Sequence, residues 1–170
     1  DTSVSALFII SSGILERSGD LSAAAENYKQ ALEIDPRSVA ARTRYGKLLQ
    51  KQGSPSEATA FHRRMLAFDS DMPAGHYLLG IALLNQGRAA EALSELRAEL
   101  ARAPDFPPAL RTLAEVLAAN ADSQVRDGTA AVEAAERLVA AAPGDPASFD
   151  TLAQAHAEAG AVAEELAVVG

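Results

Sequence analysis

The sequence predicts an all-α chain of stacked antiparallel helix pairs, and a fixed period is the main reason. Leu15, Leu49, Leu83 and Leu117 stand 34 residues apart, and Gly19, Gly53 and Gly87 recur on the same spacing. Within each period apolar residues return every three or four positions, the mark of amphipathic helices, and turn residues fall between them. A unit of this length buries its apolar face only against its neighbours, so the product is a solenoid with an extended surface rather than a closed pocket.

Each period reads as a helix A followed by a helix B. The predicted helices are 3–17 and 21–34, 38–51 and 55–68, 73–86 and 89–102, 107–120 and 129–142, and finally 147–159 and 162–169, ten helices in five pairs. Asp20 and Ser54 sit just before the first two B helices, where a short side-chain oxygen can accept from unpaired amides of the first turn. Ser54-Pro55-Ser56-Glu57 has the form of a capping box with proline at the first helical position. Gly19, Gly53, Gly87 and Gly160 stand where helix A must end in a left-handed residue. Pro36, Pro104 and Pro143 close B helices, and Asp145-Pro146 restarts the chain.

Composition narrows the function. At 170 residues with 48% apolar but only 5% aromatic residues, the core must be built from Ala, Leu and Val. No apolar run approaches the roughly 20 residues that span a bilayer. Cysteine is absent, which removes disulfides, thiolate nucleophiles and Cys-based metal sites and leaves cytoplasm and periplasm both open. The start carries no initiator Met and no secretory signal pattern, so the chain is expected to belong to a longer protein. Twelve arginines against three lysines are read as a GC-rich bacterial genome rather than as a structural need. The net charge of -8 is uneven: residues 1–70 carry 9 basic and 8 acidic groups, residues 71–170 carry 6 and 15. Nucleic acid and anionic lipid both require a cationic footprint, so neither is an expected partner.

The repeats resemble the tetratricopeptide repeat family, whose unit places an aromatic, a small residue and a large apolar residue on helix A, then Ala, an aromatic and a closing proline on helix B. Phe8, Ser12, Leu15, Ala24, Tyr28, Ala31 and Pro36 match in the first unit, with Ser12 in place of glycine. The second offers Tyr45, Gly46, Leu49 and Ala58, but Arg42 replaces the first aromatic and Ser70 the proline. Leu79, Gly80, Leu83, Ala92, Leu96 and Pro104 make the third unit a clean copy. In the fourth, Leu110, Leu113, Ala114 and Leu117 keep register, whereas Ala131, Leu138 and Pro143 arrive five residues late, which places an insertion around Asn120 to Asp127. The fifth starts with Phe149, Leu152, Ala153 and Gly160, departs at Glu165 and ends at Gly170, so its B helix is expected to be short. The resemblance implies a right-handed superhelix forming one domain over residues 1–170, with repeats of about 5–38, 39–72, 73–106, 107–145 and an incomplete 146–170. It also places Gly46, Gly80, Ala114 and Ala153 where helix A crosses helix B, facing Ala24, Ala58, Ala92 and Ala131.

Catalytic chemistry finds no support. His62, His76 and His156 come from three units and take family packing positions, so they are read as packing residues rather than ligands. Glu91, Glu95 and Glu99 share a helix with Arg88, Arg97 and Arg102, which reads as a salt-bridged face rather than a metal row. No serine lies in a nucleophile elbow, and no glycine-rich phosphate loop is present. The chain is therefore read as non-enzymatic, without cofactor or metal.

The resemblance makes the A-helix face the binding surface. Carried onto this sequence, its positions are Ile9 and Gly13, Thr43 and Lys47, Tyr77 and Ile81, Arg111 and Glu115, then Asp150 and Gln154. Arg17, Lys51 and Asn85 fall at its rim. The Lys and Asn set with which some members grip a terminal carboxylate is missing. So is the asparagine ladder of the O-GlcNAc transferase repeats, since that row reads Ile10, Arg44, Leu78, Thr112 and Thr151. The expected partner is a protein or peptide segment with an apolar anchor, held by a scaffold or adaptor. No comparable apolar row is read on the outer face. Two alternatives stay open: the recruitment segment of a larger enzyme (a glycosyltransferase, sulfatase-like hydrolase or secretion component), or a homo-oligomer formed through the first helix, which Leu7, Phe8, Ile9 and Ile10 make apolar nearly all round.

Overall fold

The computed structural model describes the backbone of residues 2–169 and the side chains of residues 3–160. Among the described residues there are nine helices and no strand: α1 (Thr2–Ser18), α2 (Leu21–Ile34), α3 (Val39–Lys51), α4 (Pro55–Phe68), α5 (Gly75–Leu84), α6 (Ala89–Arg102), α7 (Pro107–Ala119), α8 (Gly128–Ala141) and α9 (Pro146–Val169). They pack as antiparallel pairs. Contacts divide the chain into two compact units, Asp1–Gln86 and Gly87–Gly170.

In the first unit each of α1 to α4 packs on the next. Gly19 and Gly53 end their A helices at φ +86° and +75°, a conformation glycine adopts without a Cβ penalty. Asp20 caps α2, its Oδ1 accepting from the Ala23 N–H at 3.0 Å. Ser54 departs from the expected capping box: its hydroxyl makes no cap bond, because the Glu57 N–H is already taken by the Ser54 carbonyl at 3.0 Å. The core runs through aromatic rings. Tyr28 meets Tyr45 at 6.4 Å between centroids, Tyr45 meets Phe61 edge-on at 5.0 Å, and Phe61 meets His62 at 5.1 Å, geometries that suit the ring quadrupoles.

The family aromatic that Arg42 replaces is supplied by a buried polar group. Arg42 is 0% exposed, and its guanidinium donates to the carbonyls of Pro73 and Arg37. Beside it, Gly46 lies against the imidazole of His62, so closely that a Cβ on Gly46 would stand 2.5 Å from His62 Nε2. Burial first, and then the Arg42 charge, push the His62 pKa down to about 4. The ring is neutral at pH 7.

The second unit is aliphatic at the equivalent positions: Leu110 and Ala114 of α7 and Ala131, Ala135 and Leu138 of α8 are all 0% exposed. The insertion lies in the α7–α8 turn, as the late register requires. It is tied down by buried Val125 and by the Asp127 N–H donating to the Leu117 carbonyl at 2.9 Å, and Asp127 caps α8 through Ala130.

The expected pair 147–159 and 162–169 is a single helix, α9. Gly160 has no left-handed φ, and the residue after it is Ala161, where Asp20 and Ser54 stand in the earlier repeats. A lone glycine costs a helix only about 1 kcal/mol, and without a capping side chain nothing favours the break. The consequence is visible on the α9 residues that a returning helix would cover: Phe149, Ala153, His156 and Gly160 are all exposed. The close crossing expected at Ala153 is therefore absent, and His156 is not a packing residue. Glu165 and the chain end lie outside the described side chains.

Arginine also has a structural use that composition hid. Arg37 reaches one repeat ahead to the Asp71 carbonyl and the Asp69 carboxylate, both at 3.1 Å. In the second unit Arg111 donates to Asp145 at 2.6 Å and Arg137 to the Pro104 carbonyl at 2.6 Å.

Candidate functional site

The expected surface residues fall in both units. In the first, α1 supplies Ile9 and Gly13, α3 supplies Thr43 and Lys47, α5 supplies Tyr77 and Ile81, and Asn85 caps the end of α5. The structure brings Thr43 and Lys47 together at a cavity of about 430 Å³ between α1 and α3, whose other lining residues are Glu16, Ala40, Arg44 and Lys51. Gly13 belongs to the same neighbourhood, since a Cβ there would stand 3.5 Å from an Arg44 guanidinium nitrogen. Ile9 is instead half buried and packs against the cluster of Ala24, Tyr28 and Leu48. Tyr77 and Ile81 are half buried, and Asn85 donates to Gln50 Oε1 at 2.9 Å.

Electrostatics organise this cavity around one carboxylate. Glu16 accepts from the Tyr28 hydroxyl at 2.6 Å and from Lys51 Nζ at 3.1 Å. Burial alone would raise the Glu16 pKa, but these hydrogen bonds together with the Lys51 and Arg44 charges leave it below its ordinary value. Burial, and then the bond and charge of Glu16, raise the Tyr28 hydroxyl to about 12. Three cations, Arg44, Lys47 and Lys51, thus line the cavity with a single carboxylate, and the cavity carries a net positive charge on a chain of net charge -8. Sequence reading found Thr43 and Lys47 by register and put Lys51 at the rim. It read Arg44 only as a missing asparagine and did not weigh Glu16, although Glu16, Arg44 and Lys51 recur at helical spacing from the named positions.

In the second unit Arg111 and Glu115 project from α7 and Asp150 and Gln154 from α9. Glu115, Asp150 and Gln154 are exposed, whereas Arg111 is partly buried and held by Asp145.

The B helices α2 and α4 also border a cavity. This cavity, of about 420 Å³ in the first unit, is lined by Leu32, Tyr45, Phe61 and Met65, with exposed Lys29, Glu33 and Arg64 beside them. Among the described residues no group of three or more His, Cys, Asp or Glu side chains is placed to hold a metal ion, and no helix is long and apolar enough to cross a membrane.

Helix pairs on a recurring period, small residues at their crossings and glycine-ended A helices in the first three pairs define an all-α repeat protein. Comparison with known proteins then names it: sequence models described as tetratricopeptide repeat match residues 15–81 and, in two overlapping stretches, 67–107 and 77–146. The chain belongs to the tetratricopeptide repeat family. Proteins of this family are protein-interaction modules. No curated protein matches the sequence. Solved structures share the fold. PilW, described as a widely conserved type IV pilus biogenesis factor, is 25% identical, with 95% of this chain and 77% of that one covered and a TM-score of 0.61. Pseudomonas aeruginosa pilF is 22% identical over 90% of this chain and 68% of its own, TM-score 0.68. MamA residues 41 to the end from Desulfovibrio magneticus RS-1 is 20% identical over 98% and 93%, TM-score 0.64.

Proposed function

We propose that this protein is a scaffold or adaptor that holds a partner segment on its A-helix face, with the α1–α3 cavity as the anchoring point. The observation that carries the reading is the cationic cavity of Arg44, Lys47 and Lys51 around Glu16. Its chemistry suits a segment that places an acidic side chain among the three cations and an apolar side chain beside Tyr77 and Ile81, half-buried residues with apolar surface to offer. Charge steering across such a surface raises the rate of encounter and sets register more than it raises affinity. In this reading residues 1–170 act as a single repeat domain, and Arg111, Glu115, Asp150 and Gln154 are the second unit's candidate contact residues.

Selection of a displayed random-peptide library against the protein tests the proposal. The expected result is enrichment of peptides that combine Asp or Glu with a large apolar residue, lost in the Arg44→Ala/Lys47→Ala variant. Unchanged selection by that variant, with loss in Lys29→Ala/Arg64→Ala beside the α2–α4 cavity, would move the site to that cavity and overturn it.

A further inference from the structure

Helix α1 carries an exposed aliphatic stripe that the repeat itself shows to be unusual. Val4, Leu7, Ile10 and Ile14 are 40%, 65%, 62% and 55% exposed, and at 100° per residue they share one face of the helix. For Leu7 and Ile14 the equivalent positions on later A helices face inward, whereas the second-repeat equivalent of Ile10, Arg44, is exposed. Those of Leu7 are Ala41, Gly75, Ala109 and Ser148, all buried. Those of Ile14 are Leu48, Ala82, Val116 and Ala155, buried or half buried. At Gly75 the reason is visible: a Cβ would stand 2.7 Å from Leu66 Cδ2 of the preceding helix α4.

Two conclusions follow. This face of an A helix is a seat for an antiparallel helix, and in α1 the seat is empty of any described residue. But the seat is also altered. Where every later A helix keeps a small residue so that the preceding helix can cross closely, α1 has leucine, which would overpack such a crossing. The stripe therefore fits a helix held at the wider spacing of interlocking large side chains, about 8–10 Å between axes, rather than one more repeat stacked in register.

We propose that the occupant is α1 of a second copy, paired antiparallel about a two-fold axis near residue 9. The stripe is self-complementary under that rotation: Val4 comes opposite Ile14 of the partner and Leu7 opposite Ile10, which is the isologous arrangement a two-fold dimer requires. Charge agrees. None of the stripe residues is charged, and α1 lies in the near-neutral half of the chain, 9 basic against 8 acidic groups over residues 1–70. Size sets the strength. Four side chains exposed to this degree offer on the order of 400 Å² per copy, about half of a standard interface, which places the dimer among weak, transient associations.

Sedimentation equilibrium of the chain from about 1 μM to about 500 μM, which brackets a weak interface, tests this. The expected result is a rise from 17.7 kDa toward twice that mass and no further. The Leu7→Glu/Ile10→Glu variant, altered only at exposed positions, is expected to stay monomeric with unchanged helicity by circular dichroism, while Phe68→Ser, which removes an equally exposed apolar residue elsewhere, still dimerises. Orientation has its own readout, since the natural chain has no cysteine: a mixture of Val4→Cys and Ile14→Cys chains is expected to form the mixed disulfide in preference to either like pair. A monomer throughout the range, growth beyond a dimer, or a Leu7→Glu/Ile10→Glu variant that dimerises normally would overturn the proposal.

Discussion

Two crossings at the same register solve one packing problem with opposite chemistry. In the first unit Arg42, Gly46 and His62 meet; 68 residues on, with the insertion added on the B helix, the second unit has Leu110, Ala114 and Ala135. All six are buried. Where helix A gives up its side chain, helix B fills the gap with an imidazole; where both helices carry a methyl group, no polar atom is needed. The fold requires a volume and is indifferent to how it is divided. The polar solution differs in its dependence on neighbours: a buried guanidinium needs carbonyl partners, and a buried imidazole must remain neutral.

Breaking the polar crossing should therefore cost most. Arg42→Ala removes a fully buried side chain and the donors to the Pro73 and Arg37 carbonyls, and a loss of about 3–4 kcal/mol in urea unfolding is expected. Arg42→Leu, which copies Leu110, should recover at least half of it.

The second expectation concerns pH. The His62 pKa is held near 4 in the folded chain and near 6.5 unfolded, so below pH 6.5 the unfolded state takes up a proton that the folded state refuses. Stability is full above pH 6.5 and declines as pH falls, by about 2 kcal/mol at pH 5 and about 3 at pH 4. Unfolding midpoints measured from pH 7.5 to pH 4.5 check it. A His62→Ala chain, lacking the titrating group as Ala135 does, should lose most of that slope.

A smaller effect sharpens the comparison. Gly46→Ala drives a methyl group into His62 and should destabilise by about 1–2 kcal/mol even after the gain in helix propensity. The Gly46→Ala/His62→Ala double variant, which rebuilds the second unit's pair, should be less damaged than the sum of its single variants. Thermal melts of all three chains would settle whether volume is shared across the crossing.

The same contrast explains what could be read in the sequence. The helices from 21 to 142 were legible because each has its own period and punctuation; α2, α4 and α6 begin and end where the apolar spacing and the flanking Gly and Pro place them. Arg42 was legible only as a departure, because its partners, the carbonyls of Arg37 and Pro73, are brought together by tertiary packing and leave no trace in local pattern. Gly160 misled for a related reason: glycine permits a turn, but capping and packing decide whether one forms. At the site, Thr43 and Lys47 followed from register. The charge balance of the cavity depends on α1 and α3 lying side by side, which brings Lys51 to Glu16 from 35 residues away.

That spacing recurs. Lys51 to Glu16, Arg37 to Asp71, Asn85 to Gln50, Arg111 to Asp145 and Arg137 to Pro104 each join positions one repeat length apart. In a linear array, stability divides into what each repeat contributes alone and what each junction contributes, and these bonds belong to the junctions. They penalise the boundary between a folded repeat and an unfolded neighbour, so within each unit the repeats should melt together rather than fray singly from an end. An arginine-rich surface here is a source of cooperativity.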